Sequence, residues 1–174
     1  MAQIGQDFSE GSYDALDAIE AGAVRRFLEP LEFDCPLHVD EQVAAAHGYA
    51  GIIAPYSGLA TWISAGLWNS GDEPIYAGAD RNAHPRWRVN PYPTPGPDIN
   101  GRTATDLQYD YVRPFAVGDK LRSCGRILTS VTPKETRVGR GAFLTWESKV
   151  VNQVDALIAE VHFGVYNYVA RVRG

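Results

Sequence analysis

The residues best suited to do chemistry gather in one short stretch, Glu32-Phe33-Asp34-Cys35-Pro36-Leu37-His38-Val39-Asp40. It holds an imidazole, a thiol and several carboxylates close together. Cys35 is a poor nucleophile candidate, because His38 is the one nearby group that could activate a thiol. His47, His84 and His162 have no ligand-like spacing with a cysteine or carboxylate, so no metal site is read. Cys35 and Cys124 are too few for a disulfide scaffold or a four-cysteine metal site. Arg81, Arg86 and Arg88 lie within eight residues in a proline-rich stretch. Arginine forks bind phosphate groups bidentately, and a solvated loop is the competing reading. Arginine supplies most of the basic residues, since Lys120, Lys134 and Lys149 are the three lysines among 16 Lys and Arg.

These residues need a scaffold, and its elements show in the pattern. Val24, Phe27, Leu28 and Leu31 form one apolar helical face, which Pro30 bends or ends. The stretch from Glu32 to Asp40 reads as a loop. Asp40 caps a short helix through Ala46, and Gly48 stops it. From Ile52 to Trp68 the chain carries no charge. With Pro55 in its first turn, this segment predicts a buried helix of about 16 residues. Small residues along it (Gly58, Ala60, Ser64, Ala65, Gly66) leave room for a ring or a long chain. Residues 72–101 form a long proline-rich loop, and residues 1–20 a loose arm. The remainder predicts strands: an alternation at 106–111, then about 121–131, 142–152 and 157–168, the last three joined by short turns as an antiparallel meander. A sheet burying one face against helices is an α+β architecture.

The 174 residues suit a single domain spanning 1–174, with enough apolar content (45%) for a core. A net charge of −5 argues against a dedicated nucleic-acid binder. No apolar run is long enough to span a membrane, and the polar N-terminus does not read as a signal peptide, so a cytoplasmic protein is expected.

Three segments, taken in order, resemble the MaoC-like hydratase/dehydratase family of the hot-dog fold. Cys35-Pro36-Leu37-His38-Val39-Asp40 is similar to the family's Asn-Pro-Leu-His-x-Asp. Gly48-Tyr49-Ala50-Gly51-Ile52-Ile53-Ala54-Pro55 leads into the central helix. Tyr111-Val112-Arg113-Pro114-Phe115-Ala116-Val117-Gly118-Asp119 is similar to the Arg-Pro-hydrophobic-x-x-Gly-Asp turn. Val151-Asn152-Gln153 matches a further turn. Ala54-Pro55, where many relatives have His-Gly, resembles the fatty-acid-synthase-type N-terminal dehydratase branch. That branch includes subunits that work beside a second hot-dog chain.

The resemblance implies a sheet wrapped around a buried helix, and reversible hydration of a 2-enoyl thioester of coenzyme A or acyl carrier protein. His38 falls on the catalytic histidine, which shares general acid–base work with a carboxylate. That carboxylate belongs five residues earlier, where this chain has Phe33. Asp34 or Glu32 replaces it, or it is absent. The start of the helix, Pro55, Tyr56, Ser57 and Gly58, is the implied oxyanion and substrate-binding site. Tyr56 stands where active relatives have glycine, and either turns away or lines the pocket. Arg81, Arg86 and Arg88 become candidates for coenzyme A phosphates. No cofactor or metal is implied. The expected partners are the thioester substrate and a second hot-dog chain, identical or related. Two readings stay open: a hydratase using Asp34 and His38, or a non-catalytic subunit that stabilises an active hydratase chain. A hot-dog thioesterase would need a carboxylate or polar group on the central helix, which the uncharged run argues against.

Overall fold

The computed structural model describes residues 3–9, 12–64, 66, 68, 70–74 and 96–171. Five strands form one antiparallel sheet: β1 (Tyr13–Asp14), β2 (Gly101–Tyr111), β3 (Arg122–Glu135), β4 (Gly139–Val151) and β5 (Leu157–Ala170). Their order is β1-β3-β4-β5-β2, so the meander β3-β4-β5 lies in the middle and β2 ends the sheet beyond β5. The strands are longer than the apolar alternation suggests. β2 begins at Gly101 and β3 runs on to Glu135. Backbone pairing continues there through polar residues that carry no period-2 signal.

Side chains directly opposite each other share a face. Tyr109 opposes Val161, Tyr111 opposes Ala159 and Trp146 opposes Phe163, all on the inner face. The helices α1 (Ala21–Leu28), α2 (Glu41–Ala46) and α3 (Leu59–Trp62) accompany the sheet. Val24 and Leu28 of α1 and Leu59 and Trp62 of α3 pack with Phe115, Leu121, Val150 and Val161 in the larger core cluster. A second cluster joins Leu128, Leu144, Trp146 and Val165. Asp40 caps α2 as expected, its Oδ1 accepting the N–H groups of Gln42 and Val43 at 2.8 and 3.1 Å. α1 stops at Leu28, just ahead of Pro30, as expected. Pro30 sits in the first turn of a 3₁₀ extension, Glu29–Leu31, where a missing N–H costs nothing.

The central helix is much shorter than expected. Ile52 to Ala54 is extended: Ile53 bridges to Ala116, and Ala54 N–H donates to the Phe115 carbonyl at 2.8 Å. Pro55 stays extended (ψ 131°), a 3₁₀ turn covers Tyr56–Gly58, and α3 stops at Trp62 with Ile63 as its cap. The lack of charge reflects burial of only one side. Pro55, Gly58, Leu59 and Trp62 are buried, whereas Tyr56, Ser57, Ala60, Thr61 and Trp68 are exposed.

The arm also differs from expectation. Residues 3–9 lie along β3, with Gly5 N–H donating to Leu128, Phe8 N–H to Arg126 and Leu128 N–H to Gln6. The Asp7 carboxylate accepts the Arg126 N–H at 2.8 Å, and the Phe8 ring stands edge-on to Trp146 at 5.5 Å. Further on, Ala15 and Ile19 are buried. The open edge of β3 supplies the donors and acceptors that order this polar segment, and its hydropathy cannot reveal that. Most of the 72–101 loop lies outside the described residues. No described helix is long and apolar enough to cross a membrane.

Candidate active site

His38 closes a single 3₁₀ turn, Pro36–His38, which Pro36 opens in its first turn. The backbone around it is well tied. His38 N–H donates to Cys35, Asp40 N–H to Pro36, and Ile53 N–H to Leu37. Among the described residues the ring makes one hydrogen bond, from Nδ1 to the Ile53 carbonyl at 2.7 Å. A carbonyl can only accept, so Nδ1 carries the proton and the neutral ring keeps its lone pair on Nε2. That is the atom a proton-transfer step would use.

The ring against His38 is Phe33, with centroids 5.6 Å apart and planes inclined by 38°. Glu32 and Asp34 are exposed. Glu32 itself adopts a left-handed conformation (φ 48°), which turns the chain ahead of Phe33. Among the described residues, no ion pair joins His38 to a carboxylate. Cys35 is a half-buried free thiol at the N-cap of the same turn, where its side chain makes no capping bond.

The helix start is braced on two carbonyls. Pro55 O accepts from Gly58 N–H at 3.0 Å and from the Trp62 indole at 3.4 Å. Tyr56 O accepts from Leu59 N–H and, at 2.6 Å, from the Tyr111 hydroxyl. The first N–H groups of a helical turn have no partner within it, and here those belong to Tyr56 and Ser57. The Tyr56 ring turns onto Tyr111, stacked at 4.4 Å and 17°, with Phe115 beside both. Burial, then the neighbouring Tyr109 and Tyr56, push the Tyr111 phenol above its ordinary value, so it remains a donor at neutral pH. Gly58 is required by close approach: a Cβ there would lie 2.7 Å from Trp62 Nε1.

The motif around Asp119 is a structural latch. Gly118 (φ 95°) makes the turn, Asp119 Oδ2 accepts Ala116 N–H at 2.8 Å, and Asn152 Nδ2 reaches Asp119 Oδ1 at 3.3 Å. It holds residues 115–117 against Ile52–Ala54, and through them the Ile53 carbonyl that orients His38.

The structure thus brings His38 close to Ile53, at the start of the segment leading to Pro55–Gly58, and puts Phe33 rather than a carboxylate beside the imidazole. Arg81, Arg86, Arg88 and His84 lie outside the described residues. Among those described, no group of three His, Cys, Asp or Glu residues can hold a metal ion. A cavity of about 310 Å³ opens between residues 15–20 and the end of α3, lined by Leu16, Ile19, Glu20, Trp62 and Ser64; none of its walls belongs to the His38 loop. Sequence reading missed Tyr111, whose place at the end of β2, opening the Arg113-Pro114 motif, is the signal that could have found it.

An antiparallel sheet packed against a short central helix, with a histidine loop beside that helix's start, defines a hot-dog protein of the MaoC-like dehydratase type. The chain belongs to the FAS1-like dehydratase-domain family, whose model matches residues 2–161. It is 25% identical over 164 residues to the 3-oxo-4,17-pregnadiene-20-carboxyl-CoA hydratase alpha subunit of Mycobacterium tuberculosis, covering 88% of this chain and 46% of that protein. The chain spans about half the length of that relative. Among solved structures, it is similar to the ChsH1-ChsH2 complex from Mycobacterium tuberculosis (TM-score 0.63, 20% identity, 94% of this chain and 86% of that one). It is also similar to the MaoC-like dehydratase from Rhodospirillum rubrum (TM-score 0.58, 19% identity, 97% and 94%). These likenesses establish the hot-dog fold.

Proposed function

We propose that the chain serves the reversible hydration of a 2-enoyl thioester as one subunit of a paired hot-dog assembly, whose partner chain contributes the complete carboxylate–histidine pair. One observation carries this reading: the Phe33 ring lies against His38, and no carboxylate pairs with that imidazole among the described residues. The uncharged exposed face at Tyr56, Ser57, Ala60 and Thr61 suits burial against a neighbour. The relative in the two-chain ChsH1-ChsH2 complex supports a second hot-dog partner.

A second reading has its own support. The Ile53 carbonyl fixes the His38 tautomer that leaves Nε2 able to accept a proton. With Asp34 orienting water after a shift of the loop, His38 would take a proton from water as oxygen adds to C3 of the enoyl group and return it at C2. The N–H groups of Tyr56 and Ser57 would polarise the thioester carbonyl.

The thioester carrier is coenzyme A or a carrier protein, and the acyl group is bulky. The small residues Gly58 and Ala60 around the start of the short α3 support that size, as does the polycyclic acyl-CoA in the relative's name.

The deciding experiment is a hydration assay of the purified chain on crotonyl-CoA and on a ring-bearing 2-enoyl-CoA, beside Phe33→Asp and His38→Ala. On the leading reading the unaltered chain alone is inactive, and Phe33→Asp gains activity that His38→Ala abolishes. Activity of the unaltered chain that falls in both Asp34→Asn and His38→Ala refutes it in favour of the second reading.

A further inference from the structure

The outer face of the sheet carries an ionic ladder that the hydration chemistry does not use. His162 of β5 stands between two carboxylates on the flanking strands. Its Nε2 is 3.2 Å from Asp110 Oδ2 on β2, and its Nδ1 is 3.4 Å from Glu147 Oε1 on β4. The register fixes this placement, because Glu147 and Gln108 are the direct cross-strand partners of His162. Gln108 Nε2 in turn holds the Asp110 carboxylate at 2.9 and 3.0 Å.

A neutral imidazole has one N–H and one lone pair, and can donate to only one of two carboxylates. The other oxygen then faces a lone pair. Only the imidazolium, with two N–H groups, satisfies both contacts. Among the described residues, the other charged groups on the same face of these strands are Asp106 on β2, Lys149 on β4 and Glu160 on β5, the last two paired with each other at 3.9 Å. The carboxylates around the ring therefore outnumber the nearby cation.

We propose that His162 is a proton-operated clasp: its imidazolium ties the edge strand β2 to β4 through Asp110 and Glu147, and loss of one proton releases one tie. The clasp acts on the strand that matters to the site. β2 carries Tyr109 and Tyr111 on its inner face, and Tyr111 holds the Tyr56 carbonyl. Among the described residues β2 has a paired strand on one side only, so cross-strand ties from β5 and β4 make up much of its attachment there.

The test is amide hydrogen exchange of the intact chain by NMR, corrected for intrinsic rates, with ¹⁵N shifts of the His162 ring. Measurements at about pH 5.5 and about pH 7.5 bracket the interval in which a histidine changes charge. At the lower pH both ring nitrogens carry protons, and the β2 amides bonded to β5 are about twofold to fivefold better protected than at the higher pH, the scale of exposed ion pairs. β3 amides do not change. In His162→Gln the β2 difference vanishes, and in Asp110→Asn it shrinks while Glu147 still engages the ring. The proposal is overturned if His162→Gln keeps the wild-type pH dependence in β2, if β3 changes in step, or if the wild-type ring carries one proton at the lower pH.

Discussion

The N-terminal arm invites a direct test through Asp7. Its carboxylate accepts the N–H groups of Ser9 and Arg126, each at 2.8 Å, at the point where the arm crosses β3. The Ser9 backbone bond, then the Ser9 side chain, hold the Asp7 carboxyl below its ordinary value of 3.8, with the Arg126 N–H adding to them. Hydrogen bonds to a charged group are worth about 1.5–3 kcal/mol when shielded. Asp7 is exposed, so solvent screening reduces its share to about 1 kcal/mol. For a chain of this size that corresponds to about 2–4 °C in Tm. Asp7→Ala should therefore melt about 2–4 °C lower at pH 7, and a protease should cut the arm ahead of β1 more readily. Asp7→Asn keeps an acceptor and should fall in between. The folded-state value is lowered, so the stabilisation is complete above the unfolded value and is lost as pH falls through the folded one. The gap between wild type and Asp7→Ala should thus be constant from pH 7 to about pH 5 and close below about pH 4. Equal melting and equal arm cleavage at pH 7 would refute the latch. A gap that persists unchanged in acid would show that the carboxylate charge is not its cause.

Three further outcomes follow from the packing around α3. Gly58→Ala sets a methyl against the Trp62 indole and should cost about 1–3 kcal/mol in denaturant unfolding, with part of the loss recovered by adding Trp62→Leu. Leu59→Ala removes a fully buried side chain and should cost about 2–5 kcal/mol, read as a lower midpoint with unchanged slope. Tyr111→Phe keeps the ring stack but loses the 2.6 Å bond to Tyr56 O. It should cost about 0.5–1.5 kcal/mol and speed exchange of the Leu59 amide that shares the carbonyl.

What the sequence revealed divides along physical lines. The meander, the Asp40 cap and the Val24, Phe27 and Leu28 face of α1 were legible because each rests on local periodicity or capping chemistry, whereas Leu31, expected on that face, lies past the helix end and is exposed. The length of α3 was not. An uncharged stretch signals burial, but Ile52–Ala54 is buried by extended pairing with residues 115–117, which lie about sixty positions away in the chain. The ordered arm was hidden for a related reason, since its partners are backbone groups of β3. Around His38, the motif made Phe33 conspicuous, and the structure sets that ring beside the imidazole. The role of Tyr111 depends on a contact across 55 residues, between a strand end and a helix start. His162 was set aside because its spacing lacked ligand periodicity; its neighbours come from register, not from adjacency.

The two margins of the sheet are unlike. At the other margin β2 comes last in the strand order. At the β3 margin, the arm and β1 pair with the first half of the strand, from Arg122 to Leu128. Over that half the edge is already taken. The seven residues of the arm from Gln3 to Ser9 thus act as a cover over the first half of an edge strand, and removing them would lay bare backbone groups open to pairing with another chain.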